Sequence, residues 1–180
     1  MKEEDQYPEK SVSRFESPPL RFEDRDGRDI RLREYGRSEV EDEFEALFEM
    51  YRGFDTQDRA QGIPPIDEDE IRDWLDSITD GVSVVAWSES TAVGHAILVP
   101  DGEGRHSLAI FVDQEYQRSG IGSRLIRALL GHAVKKDVDE IWLTVERWNE
   151  AAISLYRDVG FEKLSTEPFG MRMGMEIADS

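Results

Sequence analysis

The sequence predicts an α/β (α+β) fold with a central mixed, mostly antiparallel sheet of about seven strands and four helices. Three observations lead to this fold class. Short apolar or alternating stretches mark strands, longer stretches with a period near 3.6 mark helices, and a glycine-bearing loop joins one strand directly to a helix. At 180 residues, the chain has the length of one well-packed domain.

The first half of the chain predicts a tail, one strand and two helices. Residues 1–27 are charged and lack periodicity, so we expect an acidic, mobile tail before a domain of residues 28–180. Ile30 to Tyr35 alternates apolar with charged residues and predicts a strand. Ser38 and Glu41 match a capping box for a first helix, and Asp67 matches the N-cap of a second.

The second half predicts six strands and two helices. Val82 to Ser88, Ala92 to Val99 and the stretch ending at Val112 predict three successive antiparallel strands. A helix follows, and its apolar face consists of Ile121, Leu125, Ile126, Leu129, Leu130 and Ala133. After it come a strand at Ile141 to Val145, a helix, a strand from Phe161, and a closing strand whose apolar residues are Met171, Met173, Met175 and Ile177.

A candidate phosphate site lies where the strand ending at Val112 meets the next helix. The connecting loop contains Gln117, Arg118, Ser119, Gly120, Ile121, Gly122 and Ser123. The first amides of a helix have no internal partner, and the helix dipole attracts an anion there. A tight turn that uses glycine for backbone reasons is the alternative. A P-loop does not fit because the loop has no lysine, and no G-x-G-x-x-G dinucleotide pattern is present.

A second segment with a recognisable pattern follows one helix and one strand after this loop. Asn149 is a good N-cap and Gly160 a good C-terminal stop, and the residues around them read V-x-x-x-N-x-x-A-x-x-x-Y-x-x-x-G-F from Val145 to Phe161. Together with the spacing Gln117-x-x-Gly120-x-Gly122, this segment resembles the coenzyme-binding segments of the GNAT superfamily of N-acetyltransferases. The order of predicted elements is also the GNAT order, and the resemblance covers roughly residues 30–177.

The resemblance implies a splay between the fourth and fifth strands, into which the pantetheine arm of acetyl-CoA enters. It implies that loop amides from Gln117 to Ser123 hold the pyrophosphate and that Asn149 contacts the pantetheine arm. The backbone N–H of Phe111 or Val112 would polarise the thioester carbonyl. Tyr156 would protonate the departing thiolate, although an aromatic residue on an apolar helix face is also typical of a core.

The sequence does not single out one residue as the general base. Many GNAT enzymes carry a glutamate on the fourth strand, but here Ser107 to Val112 contains no carboxylate. His106, Glu103 and Asp113 are the nearby candidates, and histidine is the residue type most often used as a general base near neutral pH. A histidine at a strand start can equally be an ordinary exposed side chain.

The resemblance implies direct transfer of an acetyl group from acetyl-CoA to a primary amine, either a protein lysine or a small molecule, within a ternary complex. One wall of the acceptor site would be the loop from Gly53 to Pro65, which includes Phe54, Arg59, Gln61, Gly62, Ile63 and Pro64. Its R-A-Q-G-I-P-P run is similar to acetyltransferase domains of the protein-lysine kind. A non-catalytic acyl-CoA sensor or scaffold of the same fold is the alternative, favoured by the missing strand carboxylate.

Composition limits the cofactors and partners that we expect for this protein. The chain has no cysteine, so a disulfide framework, a thiolate nucleophile and a cysteine-based metal site are excluded, and we expect no metal. With 40 acidic against 22 basic residues and a net charge of −18, nucleic acid and anionic membranes are poor partners. The N-terminus reads neither as a signal peptide nor as a membrane span, so we expect a cytoplasmic protein, with a homodimer left open.

The acidic, lysine-poor composition has two interpretations. It is typical of halophilic proteins, in which high salt screens the self-repulsion of the surface. An acidic patch that selects a cationic acceptor would give the same composition.

Overall fold

The computed structural model describes residues 15–54, 64–79, 81–168 and 170–177, and within them one mixed sheet organises the chain. Its eight strands lie in the order β1-β2-β3-β4-β5-β6-β8-β7. Their bounds are β1 Leu20–Glu23, β2 Asp29–Glu34, β3 Val82–Ser88, β4 Thr91–Pro100, β5 His106–Val112, β6 Glu140–Val145, β7 Glu162–Glu167 and β8 Gly170–Glu176. Neighbouring strands are antiparallel except β5 and β6, which are parallel.

Four helices connect these strands: α1 Glu43–Arg52, α2 Glu68–Ile78, α3 Ile121–Lys135 and α4 Glu150–Val159. The carboxylate of Asp67 accepts hydrogen bonds from the amides of Asp69 and Glu70, which confirms the predicted cap of α2. Asn149 caps α4 in the same way, and Gly160 ends that helix with φ 124°. The side chains therefore start and stop these helices as the sequence predicts.

The prediction for the start of α1 is wrong by several residues. Asp42 caps this helix by accepting from the amide of Glu45, 3.0 Å away. The Ser38 hydroxyl instead accepts from the amide of Val40, while the Glu43 carboxylate accepts from the amides of Gly36 and Ser38. A carboxylate in the first helical turn thus binds the preceding loop, and this bond ties the loop down without making it helical.

The N-terminal region also differs from the expectation. Residues 20–23, expected within the tail, form β1, which pairs antiparallel with β2 from Leu20↔Leu32 to Glu23↔Asp29. This strand accounts for the eighth member of the sheet. The side chains of Phe15, Leu20 and Phe22 pack against the core, so burial holds this segment although its sequence shows no long period. Residues 1–14 lie outside the described part of the chain.

The sheet separates two apolar clusters. Helices α3 and α4 cover one face, where Leu125, Leu129, Met173 and Met175 are buried with the inward residues of most strands. The alternation of the methionines in β8 therefore marks a core face, as predicted. Helices α1 and α2 cover the other face, where the buried residues include Leu47, Ile71, Leu75, Trp87 and Phe111.

One polar chain crosses the second cluster. The hydroxyl of Tyr51 lies 2.6 Å from Nδ1 of His95, and the hydroxyl of Ser83 lies 2.7 Å from Nε2 of the same ring. Both His95 and Tyr51 are completely buried. Burial lowers the pKa of His95 to about 3, so the ring stays neutral and each ring nitrogen has one partner.

In the part of the chain that the structure describes, no helix is long and apolar enough to cross a membrane. The same residues contain no group of three or more His, Asp or Glu side chains that could hold a metal ion.

The buried imidazole of His95 makes folding sensitive to acid. Its pKa is lower in the folded protein than in the unfolded chain, so the unfolded state binds an extra proton below pH 6.5 and stability falls as the pH falls toward 3. Between pH 7.5 and pH 5 this one group should remove about 2 kcal/mol of unfolding free energy. Urea unfolding of the parent and of His95→Gln at both pH values measures the difference. An identical pH dependence in the two proteins would show that His95 does not titrate on unfolding.

Candidate active site

The parallel strands β5 and β6 separate after a short contact. They pair only at His106↔Ile141 and Ser107↔Trp142. Beyond Ser107, β5 stays paired with β4 along its whole length, up to Gly94↔Val112. The second half of β5 therefore has a neighbour on one side only. This is the splay that the family resemblance implied between the fourth and fifth predicted strands.

Hydrogen-bond direction shows which main-chain groups of β5 face the gap. The amide of Asp113 donates to the carbonyl of Val93 on β4, at 2.9 Å. Main-chain groups in a strand alternate in direction, so those of Phe111 also face β4, and those of Val112 and Ile110 face the gap. Of the two predicted carbonyl-polarising amides, that of Val112 faces the gap and that of Phe111 faces β4. The amide of Ile110 also faces the gap, and it is not among the predicted site residues.

The other wall of the gap is β6. The amide of Ile177 donates to the carbonyl of Asp139 at 2.8 Å, which makes the odd-numbered residues of β6 the ones bonded to β8. The main-chain groups of Trp142 and Thr144 consequently face β5. Two rows of backbone donors and acceptors line the gap, which suits an extended chain that carries amides of its own.

The N-terminus of α3 lies at the mouth of the gap. Gly120 is its N-cap residue with φ 89°, and no side chain caps the helix. Arg118 also adopts the left-handed region, at φ 59°. The amides of Ile121, Gly122 and Ser123 therefore point outward without a capping partner, and the helix dipole adds positive potential there. This arrangement fits a phosphate group.

Two side chains of the loop hold its own backbone. Nε2 of Gln117 donates to the carbonyl of Val112 at 3.0 Å, and the hydroxyl of the buried Ser119 donates to the carbonyl of Tyr116. These contacts join the loop to the end of β5. Ser119 can offer an anion its amide but not its hydroxyl.

Gly122 points into the mouth of the gap. A Cβ atom built on it would lie 3.8 Å from Cδ2 of Leu155 on α4 and 4.0 Å from Cγ2 of Val112. Both are ordinary contact distances, so the packing of the chain does not itself require glycine here. Space beside the amide of Gly122 is what the predicted pyrophosphate contact requires. Gly120 differs, since its positive φ requires glycine on backbone grounds.

Helix α4 carries the two remaining predicted residues on one face. Oδ1 of Asn149 accepts from the amide of Ala152 at 3.2 Å, which leaves the side-chain NH₂ group available as a donor. Tyr156 follows two turns later on the same side. It is half-buried, with its ring 5.9 Å from that of Phe161. Burial raises the pKa of Tyr156 to about 12, so it holds its proton at neutral pH.

An aromatic cluster covers the opposite face of the gap. The ring of Phe111 lies 5.3 Å from Tyr51, 5.7 Å from Trp74 and 6.1 Å from Phe54, in edge-on contacts. Phe111 thus contributes its side chain to the wall although its amide is used in the sheet. Phe54 was predicted as a wall residue, and Tyr51 on α1 and Trp74 beside it on α2 complete the cluster. The predicted wall residues at 59 and 61–63 lie outside the described residues.

His106 lies away from the gap. It occupies the first position of β5, at the end where β5 and β6 still pair, and six residues of strand put it about 20 Å from Val112. Its side chain lines a cavity with Glu34, Ser83 and His132. His106 belongs to β5, but it lies at the end of the strand that is paired with β6 and not at the end that borders the gap. The structure does not support its prediction as the general base.

The two alternative bases already have partners. Glu103 pairs with Arg105 in the turn before β5, at that same distant end. The Asp113 carboxylate caps the short turn after β5 by accepting from the amide of Glu115 at 3.0 Å. Among the described side chains of β5 and β6 that face the α1/α2 side of the gap (Ala109, Phe111, Trp142 and Thr144) there is no carboxylate.

Comparison with known proteins places this geometry in a family. The sequence model of the acetyltransferase (GNAT) family matches residues 41–161. The chain therefore belongs to the GNAT acetyltransferase family. The matched range includes the gap, the loop before α3, and all of α4.

Individual relatives are similar over parts of the chain. The [ribosomal protein bS18]-alanine N-acetyltransferase of Escherichia coli is 43% identical over 54 residues, which cover 30% of this chain and 36% of that protein. The mycothiol acetyltransferase of Nocardiopsis dassonvillei is 32% identical over 107 residues, covering 54% of this chain and 32% of that protein. The chain thus spans about a third of the length of these curated relatives.

A solved structure shares the fold over most of the chain. The GNAT domain of S. lividans PAT superposes with a TM-score of 0.72 at 17% identity, covering 88% of this chain and 96% of that domain. At this level of identity, the likeness concerns the fold alone.

Enlarging residue 122 should separate coenzyme binding from folding. Gly122→Ala adds one methyl group at ordinary contact distance, so the variant should fold with unchanged or raised stability. Gly122→Val should fill the mouth of the gap and remove an amide–phosphate contact, weakening coenzyme A binding by about tenfold to a hundredfold. Titration calorimetry and thermal melting measure the two quantities. Unchanged affinity in a folded Gly122→Val protein would refute the placement of the pyrophosphate.

Proposed function

We propose that this protein transfers an acetyl group from acetyl-CoA directly to a primary amine within a ternary complex. The observation that carries the proposal is the gap between β5 and β6, which opens beside the uncapped N-terminus of α3. A substrate with a diphosphate followed by an amide-bearing arm matches both features in that order. The amides of Ile121, Gly122 and Ser123 hold the diphosphate, and the main-chain groups of the gap hold the arm.

The transfer is a single displacement in this proposal. The amine nitrogen attacks the thioester carbonyl, the C–N bond forms, and the C–S bond breaks to leave the coenzyme as a thiolate. The amide of Val112, which faces the gap, donates to the carbonyl oxygen as negative charge develops on it. Tyr156 gives its proton to the thiolate. A tyrosine hydroxyl carries its proton at neutral pH, so Tyr156 has one to give.

Removal of the proton from the amine limits which acceptors are suitable. A lysine amine has a pKa near 10.4, so making it neutral at pH 7 costs roughly 4–5 kcal/mol. An α-amino group has a pKa near 7.7–8.0, and the same step costs about 1 kcal/mol. Because the described side chains of β5 and β6 on the α1/α2 side of the gap include no carboxylate, water is the proton acceptor in this proposal, which favours the α-amino group. The similarity to a ribosomal-protein alanine N-acetyltransferase supports the same choice.

A non-catalytic acyl-CoA sensor of the same fold is the second candidate. The same lack of a carboxylate on the gap-facing side chains of β5 and β6 favours it. The position of Tyr156, on the same face of α4 as Asn149, favours catalysis. A binding module has no need for a proton donor there.

Release of free coenzyme thiol with a set of amines tests the proposal. We expect turnover with short peptides that have a free N-terminus, and slower turnover at pH 7 with the same peptides when only a lysine amine is free. The lysine rate should rise more steeply with pH than the α-amine rate, because its neutral fraction grows up to about pH 10. Tight coenzyme binding without thiol release for any amine would favour the sensor instead.

The role of Tyr156 has its own test. Tyr156→Phe keeps the ring and loses the hydroxyl, so packing and acetyl-CoA affinity should hardly change. If Tyr156 is the proton donor, kcat should fall by about a hundredfold, within the usual range for general acid catalysis. Steady-state kinetics on an accepted amine gives the number, and Tyr35→Phe, just beyond the far end of β2, is the matched control. A kcat within about twofold of the parent would leave water as the donor.

A further inference from the structure

The turn between β1 and β2 is fastened to the loop that precedes α3. The amide of Arg25 donates to the carbonyl of Ser119 at 3.0 Å. Nη1 of Arg28 donates to the carbonyl of Glu115 at 3.2 Å, and its guanidinium lies 3.9 Å from the centre of the Tyr116 ring. These three contacts join residues about 90 positions apart in sequence, so the position of the turn depends on the phosphate loop.

Asp24 gives this turn its shape. Its buried carboxylate accepts from the amides of Asp26 and Arg28 at 3.0 and 2.9 Å, and from Nε of Arg28 at 2.7 Å. Burial alone would raise the pKa of Asp24, but the hydrogen bonds and charge of Arg28 outweigh it, and the pKa is lowered. The carboxylate is therefore ionised at neutral pH and fixes both the backbone of the turn and the guanidinium of Arg28.

The turn presents the side chain of Arg25 to the N-terminus of α3. Nε of Arg25 lies 3.8 Å from the position that a Cβ on Gly120 would occupy. Arg25 is exposed, and within the described ranges no carboxylate forms an ion pair with it. Its neighbour Arg28, in contrast, is paired with both Asp24 and Asp26.

Charge is distributed unevenly around this point. The chain has a net charge of −18, yet Arg118 and Arg124 flank the same helix start and, among the described residues, likewise form no ion pair. The guanidinium of Arg124 lies 4.5 Å from the centre of the Phe22 ring on β1, whereas Arg25 lies against the helix start itself. An arginine without a carboxylate partner beside uncapped helix amides, in so acidic a chain, suits a bound anion.

We propose that Arg25 is a coenzyme-binding residue that contacts the pyrophosphate of acetyl-CoA, and that Asp24 and Arg28 are positioning residues that hold it there. This inference rests on the proposed function, because it assigns a residue to the same coenzyme site. The β1–β2 turn then belongs to the site, although it lies outside both coenzyme-binding segments seen in the sequence. The fork of the guanidinium matches two phosphate oxygens, which a lysine cannot reproduce.

Titration calorimetry with coenzyme A and with dephospho-coenzyme A tests the assignment. Dephospho-coenzyme A lacks the 3′-phosphate but keeps the pyrophosphate. Arg25→Ala should weaken both ligands equally, by about tenfold, and Arg25→Lys should recover only part of the loss. The effect should shrink between 50 mM and 500 mM salt, because the side chain is exposed. Arg37→Ala, which removes an exposed arginine beyond the far end of β2, is the control for net charge.

A double-mutant cycle tests the positioning role of Asp24. Asp24→Asn keeps an oxygen that can accept from the two amides but loses the charge that holds Arg28. It should weaken coenzyme A binding in the parent and have little further effect in Arg25→Ala, because it acts through Arg25. A loss of affinity that is the same in both backgrounds would show that Asp24 only stabilises the fold.

The outcomes distinguish the two levels of the proposal. If the parent does not bind coenzyme A at all, the proposed function fails together with this inference. If the parent binds and Arg25→Ala binds equally well, only the inference fails. If Arg25→Ala loses affinity for coenzyme A but not for dephospho-coenzyme A, Arg25 contacts the 3′-phosphate and the pyrophosphate assignment is overturned.

Discussion

The early end of pairing between β5 and β6 is the constraint around which the site is arranged. Backbone N–H and C=O groups are costly to leave without partners in a protein interior. Here two rows of them, at Ile110 and Val112 on one side and Trp142 and Thr144 on the other, turn toward a gap. β5 can tolerate this because β4 holds its other edge along its full length. The gap is therefore a stable feature of the sheet and a place for a ligand that carries amides.

The two faces of the sheet contribute different groups to the candidate site. On one face, α3 and α4 supply the helix N-terminus, Asn149 and Tyr156, which the proposed function assigns to the coenzyme. On the other, α1 and α2 supply the aromatic rings that surround Phe111, and the buried chain of Tyr51, His95 and Ser83 supports that wall from within. The acetyl group would pass between these faces at the end of β5, where Phe111 and Val112 are adjacent. The side chains of Phe111 and Val112 lie on opposite faces of the sheet because side chains alternate along a strand.

Local signals in the sequence were sufficient for most of the elements. The caps at Asp67 and Asn149, the stop at Gly160 and the alternating methionines of β8 depend on residues close together in the chain. Local signals failed where several side chains could serve the same backbone groups. Ser38 and Asp42 are both good caps, and the contact of Glu43 with the preceding loop decided in favour of Asp42. β1 was missed for a related reason, since four residues are too few to show a period.

The sequence by itself determined the family, the loop that leads into α3, and the cap and stop of α4, because the signals for these segments lie within a few consecutive positions. Only the tertiary structure decided which amide faces the gap, because that depends on the register of β5 against β4. It also separated His106 from the gap, because strand direction puts the two at opposite ends of β5. The docking of the β1–β2 turn on the loop before α3 is a third such decision. Contacts across about 90 residues leave no local pattern, so no inspection of neighbouring positions could have revealed them.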